Sequence, residues 1–594
     1  MGLLEIVNLI WNFKSVKVID IYHQKIGGYI MAKVQGGYLV AKTLHEHGVR
    51  EIFSLGGGHI NPVYNACLDL GIRIIDTHHE QGAAMAADAY GRVSRKPGVC
   101  LVTAGPGFTN ALTGIAGAYM ANAPFLIISG RSGVEENDKL SLQEIDQQAM
   151  VAPVTKWART VFDSTRIPEY VSNAYKRALS GRPGPVYLGM SYEVLYPKCD
   201  EDKLSAYNTL ISSTKSEPED RVIEDFVKLL KRAKKPVAIA GSGSWYSGAD
   251  KEVIKFIEGA NIPLYTLNFG RGIVSDDHPL CFGHASASAP NAFRKVTSEA
   301  DLIILLGIRL SLYIAFGRTF NPKAKVVQID IDSTEIGRNR PADLGVVGDL
   351  SSVLSKMSSY IKDNSIELNF GSWLKKAGAW CNQERVKGDK LRTSNKMPIH
   401  PVRVAKAVED VLGGEGILVI DGGDTQAWTD GYYRVKNPGH YVKGGPLGCM
   451  GVGVPFAIGT KVARPEKQVV LITGDGAVGM NFMEFETAIR HKIPFVAVVC
   501  NDQAWGMTKH QLEITYGKKR PKLGVDLDLT PFHEILKVLG GYGELVTDPK
   551  NLNAAIKRAI AAGVPALINV VTDPNAVSGA TYAITEAMMS VDKR

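Results

Sequence analysis

Cysteine is scarce and scattered. The 594-residue chain carries seven, at positions 67, 100, 199, 281, 381, 449 and 500, and no two form a CxxC pair. That excludes a disulfide scaffold, gives no zinc site, and fits reduced thiols in a cytoplasmic protein. Dense charge blocks are also missing. Lys plus Arg number 68 against 60 Asp plus Glu, a net charge of +8. So thin an excess reads as a solvated surface and not as a nucleic-acid footprint. No low-complexity tract occurs. The apolar run 3–11 is broken by Glu5 and Asn8, and no small-residue cleavage site follows, so no secretory signal is expected. The one long span without charge, 97–130, is interrupted by Pro106, Asn110, Asn122 and Pro124. It reads as strand, turn, helix and strand of a buried parallel sheet, and no membrane association is expected.

What is present is ordinary globular material, 45% apolar and 22% charged. At roughly 150 residues per domain the length suggests about four domains, or three large α/β ones. Met31 begins a stretch that looks like a domain start, so 1–30 is read as an N-terminal extension. Short apolar runs at 51–55, 72–76, 99–103 and 125–129 are separated by helical patterns such as 81–92 and 109–119. This alternation predicts a parallel sheet with helices on both faces over 31–200. A polar stretch around 200–220 reads as a linker. A second α/β segment covers 217–365, where Gly241-Ser-Gly-Ser follows a strand. That loop suits either a phosphate site or a purely structural Rossmann-like domain. Residues 365–398 are more polar and read as a second linker. A third α/β segment covers 395–575, leaving 576–594 as a C-terminal tail. A duplicated fold in the first and third segments is plausible from their shared texture.

The strongest chemical signal is in the third segment. An apolar run feeds Gly474-Asp475-Gly476-Ala477, and the next one delivers Asn501-Asp502-Gln503-Ala504. Both acids stand at carboxyl ends of strands, where open α/β sheets bind ligands. Two carboxylates and a backbone carbonyl suit Mg2+, which prefers hard oxygens and completes its shell with phosphate and water. Glycines beside Asp475 allow a close approach to a diphosphate. Two unrelated acidic turns would read the same way from this motif alone.

Other motifs add weight. His79-Glu80-Gln81-Gly82 follows a first-segment strand, Ala104-Gly-Pro-Gly-Phe-Thr-Asn110 follows the next, and Leu447-Gly-Cys-Met-Gly-Val-Gly453 precedes a third-segment helix. Together, in this order over about 33–575, they resemble the thiamine-diphosphate-dependent enzymes of the acetohydroxyacid synthase and benzaldehyde lyase group. The resemblance implies three doubly wound parallel-sheet domains: pyrimidine-binding, central Rossmann-like and diphosphate-binding. It makes Glu80 the match for the glutamate that bonds N1′ of the cofactor's aminopyrimidine and so promotes loss of the thiazolium C2 proton. Gly448 matches the carbonyl that bonds the 4′-amino group, and Met450 the bulky residue that bends the cofactor. Without the resemblance Met450 would be ordinary core. Gly474, Asp475, Gly476 and Ala477 match the diphosphate loop, while Asp475, Asp502 and the Ala504 carbonyl match the Mg2+ ligands. Where the family usually has Asn-Asn, this chain has Asn501-Asp502, which keeps an oxygen donor and adds charge.

Subfamily features are mixed. Ser-Leu-Gly-Gly-Gly-His59 resembles benzaldehyde lyase, whose histidine can relay protons to the substrate hydroxyl. An unreactive helix-start histidine is the alternative for His59. Gln143 matches an active-site glutamine of both subfamilies. Trp505-Gly506 is again like benzaldehyde lyase, but Gln426 and Met507 depart from its aromatic pocket. The tryptophan by which acetohydroxyacid synthases select 2-ketobutyrate is missing too. The central domain lacks the Met-His-Gly and Asp-Asp-Arg portions of the flavin-binding members; it has His284-Ala-Ser-Ala-Ser and Gly307-Ile-Arg309-Leu-Ser. That argues against FAD. The expectation is a C–C lyase or carboligase for 2-hydroxy ketones, 2-keto acids or aldehydes, with acetolactate synthase as the alternative. A 2-hydroxyacyl-CoA lyase, for which an Asn-Asn-Asn-Gly stretch is missing, and a non-catalytic relative rank below it. By resemblance the chain is a homodimer or homotetramer acting on a small-molecule substrate. The uncharged span 97–130 is expected to support that assembly.

Overall fold

The computed structural model describes residues 33–212, 214–286 and 291–589. The 1–30 extension lies outside the described residues, as do the last five residues of the tail and part of the His284 stretch.

Three six-stranded sheets organise the chain, each wholly parallel. Across the first, the strands run Arg73–Asp76, Glu51–Leu55, Gly98–Val102, Phe125–Arg131, Pro185–Ser191 and Trp157–Val161. Across the third they run Tyr441–Lys443, Ile417–Ile420, Val469–Gly474, Val496–Asn501, Ala566–Val571 and Tyr542–Val546. Both follow the spatial order 2-1-3-4-6-5, so the first and third domains share one topology. The central sheet runs 3-2-1-4-5-6, the dinucleotide-fold order, with Pro236–Ala240 and Leu302–Leu306 at its middle. Central strands such as Val99, Cys100 and Leu101 are buried on both faces. Helices cover both sides of each sheet, which is why these runs are continuously apolar.

The span 97–130 folds as Gly98–Val102, Pro106–Ala121 and Phe125–Arg131 and buries most of itself within its own chain. Its lack of charge is thus accounted for by the sheet and gives no argument for assembly. The region read as a second linker is, over most of its length, the helix Gly371–Arg392. Trp373, Ala377 and Cys381 recur at four-residue spacing, enough for a narrow apolar stripe against the central domain.

The first and third domains share a core. Ala83, Ala86, Phe108, Phe456, Ala457 and Phe485 belong to one buried cluster. Helix Glu80–Ser94 lies on helix Gly453–Ala463 so closely that a Cβ on Gly459 would stand 2.0 Å from the Ala86 carbonyl oxygen. All seven cysteines are free. No helix among the described residues is long and apolar enough to cross a membrane.

Candidate active site

Four adjacent strands of the first sheet end on one wall. After Gly98–Val102 the chain turns through Thr103, Ala104 and Gly105 into helix Pro106–Ala121, with Gly105 at φ 57°. Thr103 is the hub of this wall. His59 Nδ1 lies 3.2 Å from its hydroxyl, and Cβ atoms on Gly57 or Gly107 would stand 2.5 and 2.7 Å from its side chain. Glu80 starts helix Glu80–Ser94 and is buried. Asn110 donates to its Oε2 at 2.9 Å, and among the described residues Oε1 takes no hydrogen bond. Gln143 joins the same wall in a left-handed conformation, φ 63°, against Gly105. The structure thus brings Glu80, His59 and Gln143 to one place. Burial pushes the His59 imidazole below its ordinary pKa, opposed by the charge of Glu136.

The sequence reading missed Thr103, and it missed Gln147. The buried Gln147 amide accepts from Gly105 N at 2.9 Å and contacts Ser129 Oγ, the Gly130 carbonyl and Tyr187 Oη within 3.0 Å. It anchors the turn that carries the wall. No pattern in the neighbouring sequence marks it.

The second half-site is built by the third sheet. Gly474 precedes helix Asp475–Met480, and Ala477 is buried in it. Strand Val496–Asn501 delivers Asp502, then Gln503 at φ 58° and Ala504. Asp475 Oδ2 accepts from Ala504 N at 3.2 Å. Burial and then the Asp475 charge push Asp502 up to about 7, and burial raises Asp475 as well. Two buried carboxylates side by side resist ionising together, and a cation between them would relieve that repulsion. A Cβ on Gly476 would stand 2.6 Å from the Trp505 ring, so only glycine admits this packing. No cluster of three or more His, Cys, Asp or Glu among the described residues could hold a metal. Asp475 and Asp502 with the Ala504 carbonyl could therefore hold one only if a ligand supplies further oxygens.

Between the two halves runs the segment 448–452. Gly448 and Gly451 both adopt φ 77°, and Asn481 Nδ2 holds the Gly451 carbonyl at 2.7 Å. The Gly448 carbonyl takes no hydrogen bond among the described residues. Met450 is 38% exposed and so is not core. No hydrogen bond joins Glu80 to Asp475 within the chain.

The tail closes over this region. Helix Gly579–Met589 packs on helix Gly506–Tyr516. His510 lies 2.6 Å from Asp424 Oδ2 and 2.9 Å from the Pro574 carbonyl, while Thr581 Oγ1 donates to Asp424 Oδ1 at 2.6 Å. At the carboxyl ends of the central sheet a cavity of about 650 Å3 opens between that domain and the other two. Gly243, Gly307, Arg309, Asp330, Arg182 and Lys215 are among its lining residues.

Comparison with known proteins accords with this layout. Residues 34–150 match the thiamine pyrophosphate enzyme N-terminal TPP binding domain, 223–357 the central domain, and 421–570 the C-terminal TPP binding domain. An acetolactate synthase large subunit of Mycobacterium tuberculosis is 32% identical over 545 residues, 91% of this chain and 96% of that protein. One from Lactococcus lactis is 33% identical over 538 residues, 90% and 92% of the two chains. A 2-hydroxyacyl-CoA lyase 2 of Caenorhabditis elegans is 31% identical over 572 residues, 89% and 86%. With all three domains matched in order, and a glutamate wall and a diacid loop built on two sheets of one topology, the chain belongs to the thiamine-pyrophosphate-dependent enzymes that catalyse carboligation or cleavage.

Proposed function

We propose that the chain is a thiamine-diphosphate- and Mg2+-dependent C–C lyase or carboligase that acts on 2-keto acids, 2-hydroxy ketones or aldehydes. The observation that carries this reading is the wall on which His59 meets the Thr103 hydroxyl and Gly107 lies against both Thr103 and Glu80. Thiamine diphosphate, when bound, supplies the carbon nucleophile that takes up the donor carbonyl. Glu80 has one oxygen fixed by Asn110 and the other free to bond the aminopyrimidine. The Gly448 carbonyl would take the amino group, and Met450 would brace the rings. Asp475, Asp502 and the Ala504 carbonyl would hold Mg2+, with Gly474, Gly476 and Ala477 beside the diphosphate. His59, neutral near pH 7, would take a proton from a substrate hydroxyl and return it. The Gln143 amide would bond substrate oxygens.

The relatives favour a second reading, acetolactate synthesis from pyruvate. Incubating the loaded enzyme separately with pyruvate, with acetoin or benzoin, and with a 2-hydroxyacyl-CoA decides between the readings by the products. No product from any of them would overturn both. We also propose that no flavin is needed, because the Asp-Asp-Arg portion beside Arg309 is missing. The central cavity is of nucleotide size, so the absorbance of purified protein is the test. A stoichiometric flavin band would overturn the proposal and put acetolactate synthesis first. The free cysteines support a cytoplasmic setting.

We further propose that the active site forms between chains. Leu140 and Leu142, flanking Gln143, are 98% and 81% exposed, and Met480 is 51% exposed beside the diacid loop. Such apolar surface around both halves supports a homodimer, or a dimer of dimers, whose sites form between chains. Mixing inactive Glu80→Gln and Asp475→Ala proteins tests this. Exchanged subunits should restore about a quarter of all sites at random pairing. No recovery despite proven exchange would place both residues in one chain's site.

A further inference from the structure

Glu484 opens helix Glu484–Arg490 of the third domain, yet its side chain belongs to the first. It is 2% exposed. Its Oε1 accepts from the backbone N–H of His78 and of His79, both at 3.2 Å, and its Oε2 accepts from the Thr487 hydroxyl at 2.7 Å. His78 and His79 are the residues immediately before Glu80. A helix start leaves its first N–H groups without intrahelical partners. Here the His79 side chain accepts from Gln81 N at 3.1 Å, and the carboxylate from another domain accepts from the two amides ahead of it. Gly82 leaves the room: a Cβ there would stand 2.6 Å from Glu484 Oε1. Other bonds between the same two segments, His78 to Glu486 at 2.6 Å and His491 to Asp76 at 2.8 Å, are partly exposed and so weakened by water. Glu484 is the buried tie among them.

The stretch that carries Glu484 also begins at Asp475 and passes through Asn481, which holds the Gly451 carbonyl. One short strap therefore touches the diacid loop, the Met450 segment and the turn before Glu80. We infer that Glu484 is a positioning residue for the reaction: its carboxylate fixes the 78–80 turn and so aims the Glu80 side chain. The inference rests on the proposed role of Glu80 and adds a residue that acts through it.

The test uses full-length Glu484→Ala, Glu484→Gln, Gly82→Ala and Glu80→Gln proteins. Three quantities are read: C2 proton exchange of bound thiamine diphosphate, cofactor affinity, and amide hydrogen exchange of the peptide over 76–84 without cofactor. Misplacing a reacting group by about 1 Å can cost about 100-fold. Glu484→Ala should slow C2 exchange by about that factor, leave affinity little changed, and speed amide exchange at 78–80. Glu484→Gln keeps one acceptor oxygen and should recover most of the rate. Gly82→Ala gains helix propensity but pushes the carboxylate aside. It should slow C2 exchange while the protein stays folded, its helix propensity offsetting part of the strain, which covers the case that Glu484→Ala fails to fold. Unaltered C2 exchange in folded Glu484→Ala or in Gly82→Ala, while Glu80→Gln is slow, would overturn the inference alone. Unaltered exchange in Glu80→Gln would overturn the reading of Glu80 and the inference with it.

Discussion

Replacing Arg92 by Met should destabilise the protein far more than its distance from the chemistry suggests. Arg92 is 1% exposed and Asp88 2%. The guanidinium grips the Asp88 carboxylate with two hydrogen bonds, Nε to Oδ1 at 2.6 Å and Nη2 to Oδ2. It donates to the Lys443 carbonyl at 2.7 Å and lies 4.9 Å over the Phe456 ring, both in the third domain. The Arg92 carbonyl accepts from Trp245 Nε1 of the central domain at 2.7 Å. All three domains therefore meet at this residue, on the helix that begins with Glu80. Arg92→Met keeps the bulk and removes the charge, so Asp88 is left buried and unpaired. Breaking such a pair costs about 3–5 kcal/mol. At roughly 2–4 °C per kcal/mol the melting midpoint should fall by about 6–20 °C. Scanning fluorimetry at one scan rate, with urea denaturation beside it, reads the shift. Asp88→Leu combined with Arg92→Met should recover most of it, because an apolar pair of similar volume often replaces a buried ion pair at little cost. The defect of the single variant should also shrink in acid, where Asp88 can take up a proton. A loss below about 1 kcal/mol, or a double variant no better than the single, would refute the argument.

Asp475→Ala should abolish the gain in thiamine diphosphate affinity that Mg2+ brings, as should a chelator on the wild type; calorimetry with and without Mg2+ checks both, and undiminished affinity would reject the metal assignment. His59→Ala should lower kcat by about 100-fold or more while cofactor affinity holds, since a positioned acid–base group contributes on that scale; an unchanged kcat would leave His59 as a bystander. Docking of the tail should depend on pH through His510 and Asp424, with Asp502 the further charge facing them. Burial opposes the His510 imidazolium, but the bonds to Asp424 and Pro574 outweigh it and hold its pKa above the ordinary value. Burial likewise opposes the Asp424 carboxylate, and its bonds to His510, Ser578 and Thr581 outweigh it and lower its pKa. The raised histidine contributes fully below about pH 6.5 and its contribution fades as pH climbs through the raised value; the lowered aspartate contributes above about pH 4 and fades in acid below that. Limited proteolysis of the tail should therefore be slowest between about pH 4 and 6.5 and faster at alkaline pH, and a flat profile would count against the clamp.

The parts of the site that were legible in the sequence are those where one physical rule acts locally. A parallel strand buried on both faces must be a continuous apolar run, and ligands of such sheets meet the residues just past its carboxyl end. Val469–Gly474 followed by Asp475, and Val496–Asn501 followed by Asp502, obey both rules, so the diacid loop could be read without a structure. Glu80 and His59 follow the same logic at the ends of Arg73–Asp76 and Glu51–Leu55. The helix Gly371–Arg392 does not. Its buried positions are few and form a narrow stripe among many charged ones, so its composition resembles a linker although it packs like a helix.

What stayed hidden is of another kind. Thr103, Gln147 and Glu484 matter because of groups that the fold brings to them, and no pattern in their own neighbourhoods says so. Thr103 is a small residue in an apolar run, yet His59 bonds it and two glycines are bare to make room for it. Glu484 lies about four hundred residues from the amides it binds. Two sheets of one topology must first pack helix Glu80–Ser94 against helix Gly453–Ala463 before that carboxylate has anything to cap. Met450 shows the converse. By its type it reads as core, yet beside a left-handed Gly448 and Gly451 it is 38% exposed. Local chemistry therefore marks where a cofactor would be gripped, whereas the residues that aim the grip are chosen by tertiary packing and become visible only with the fold.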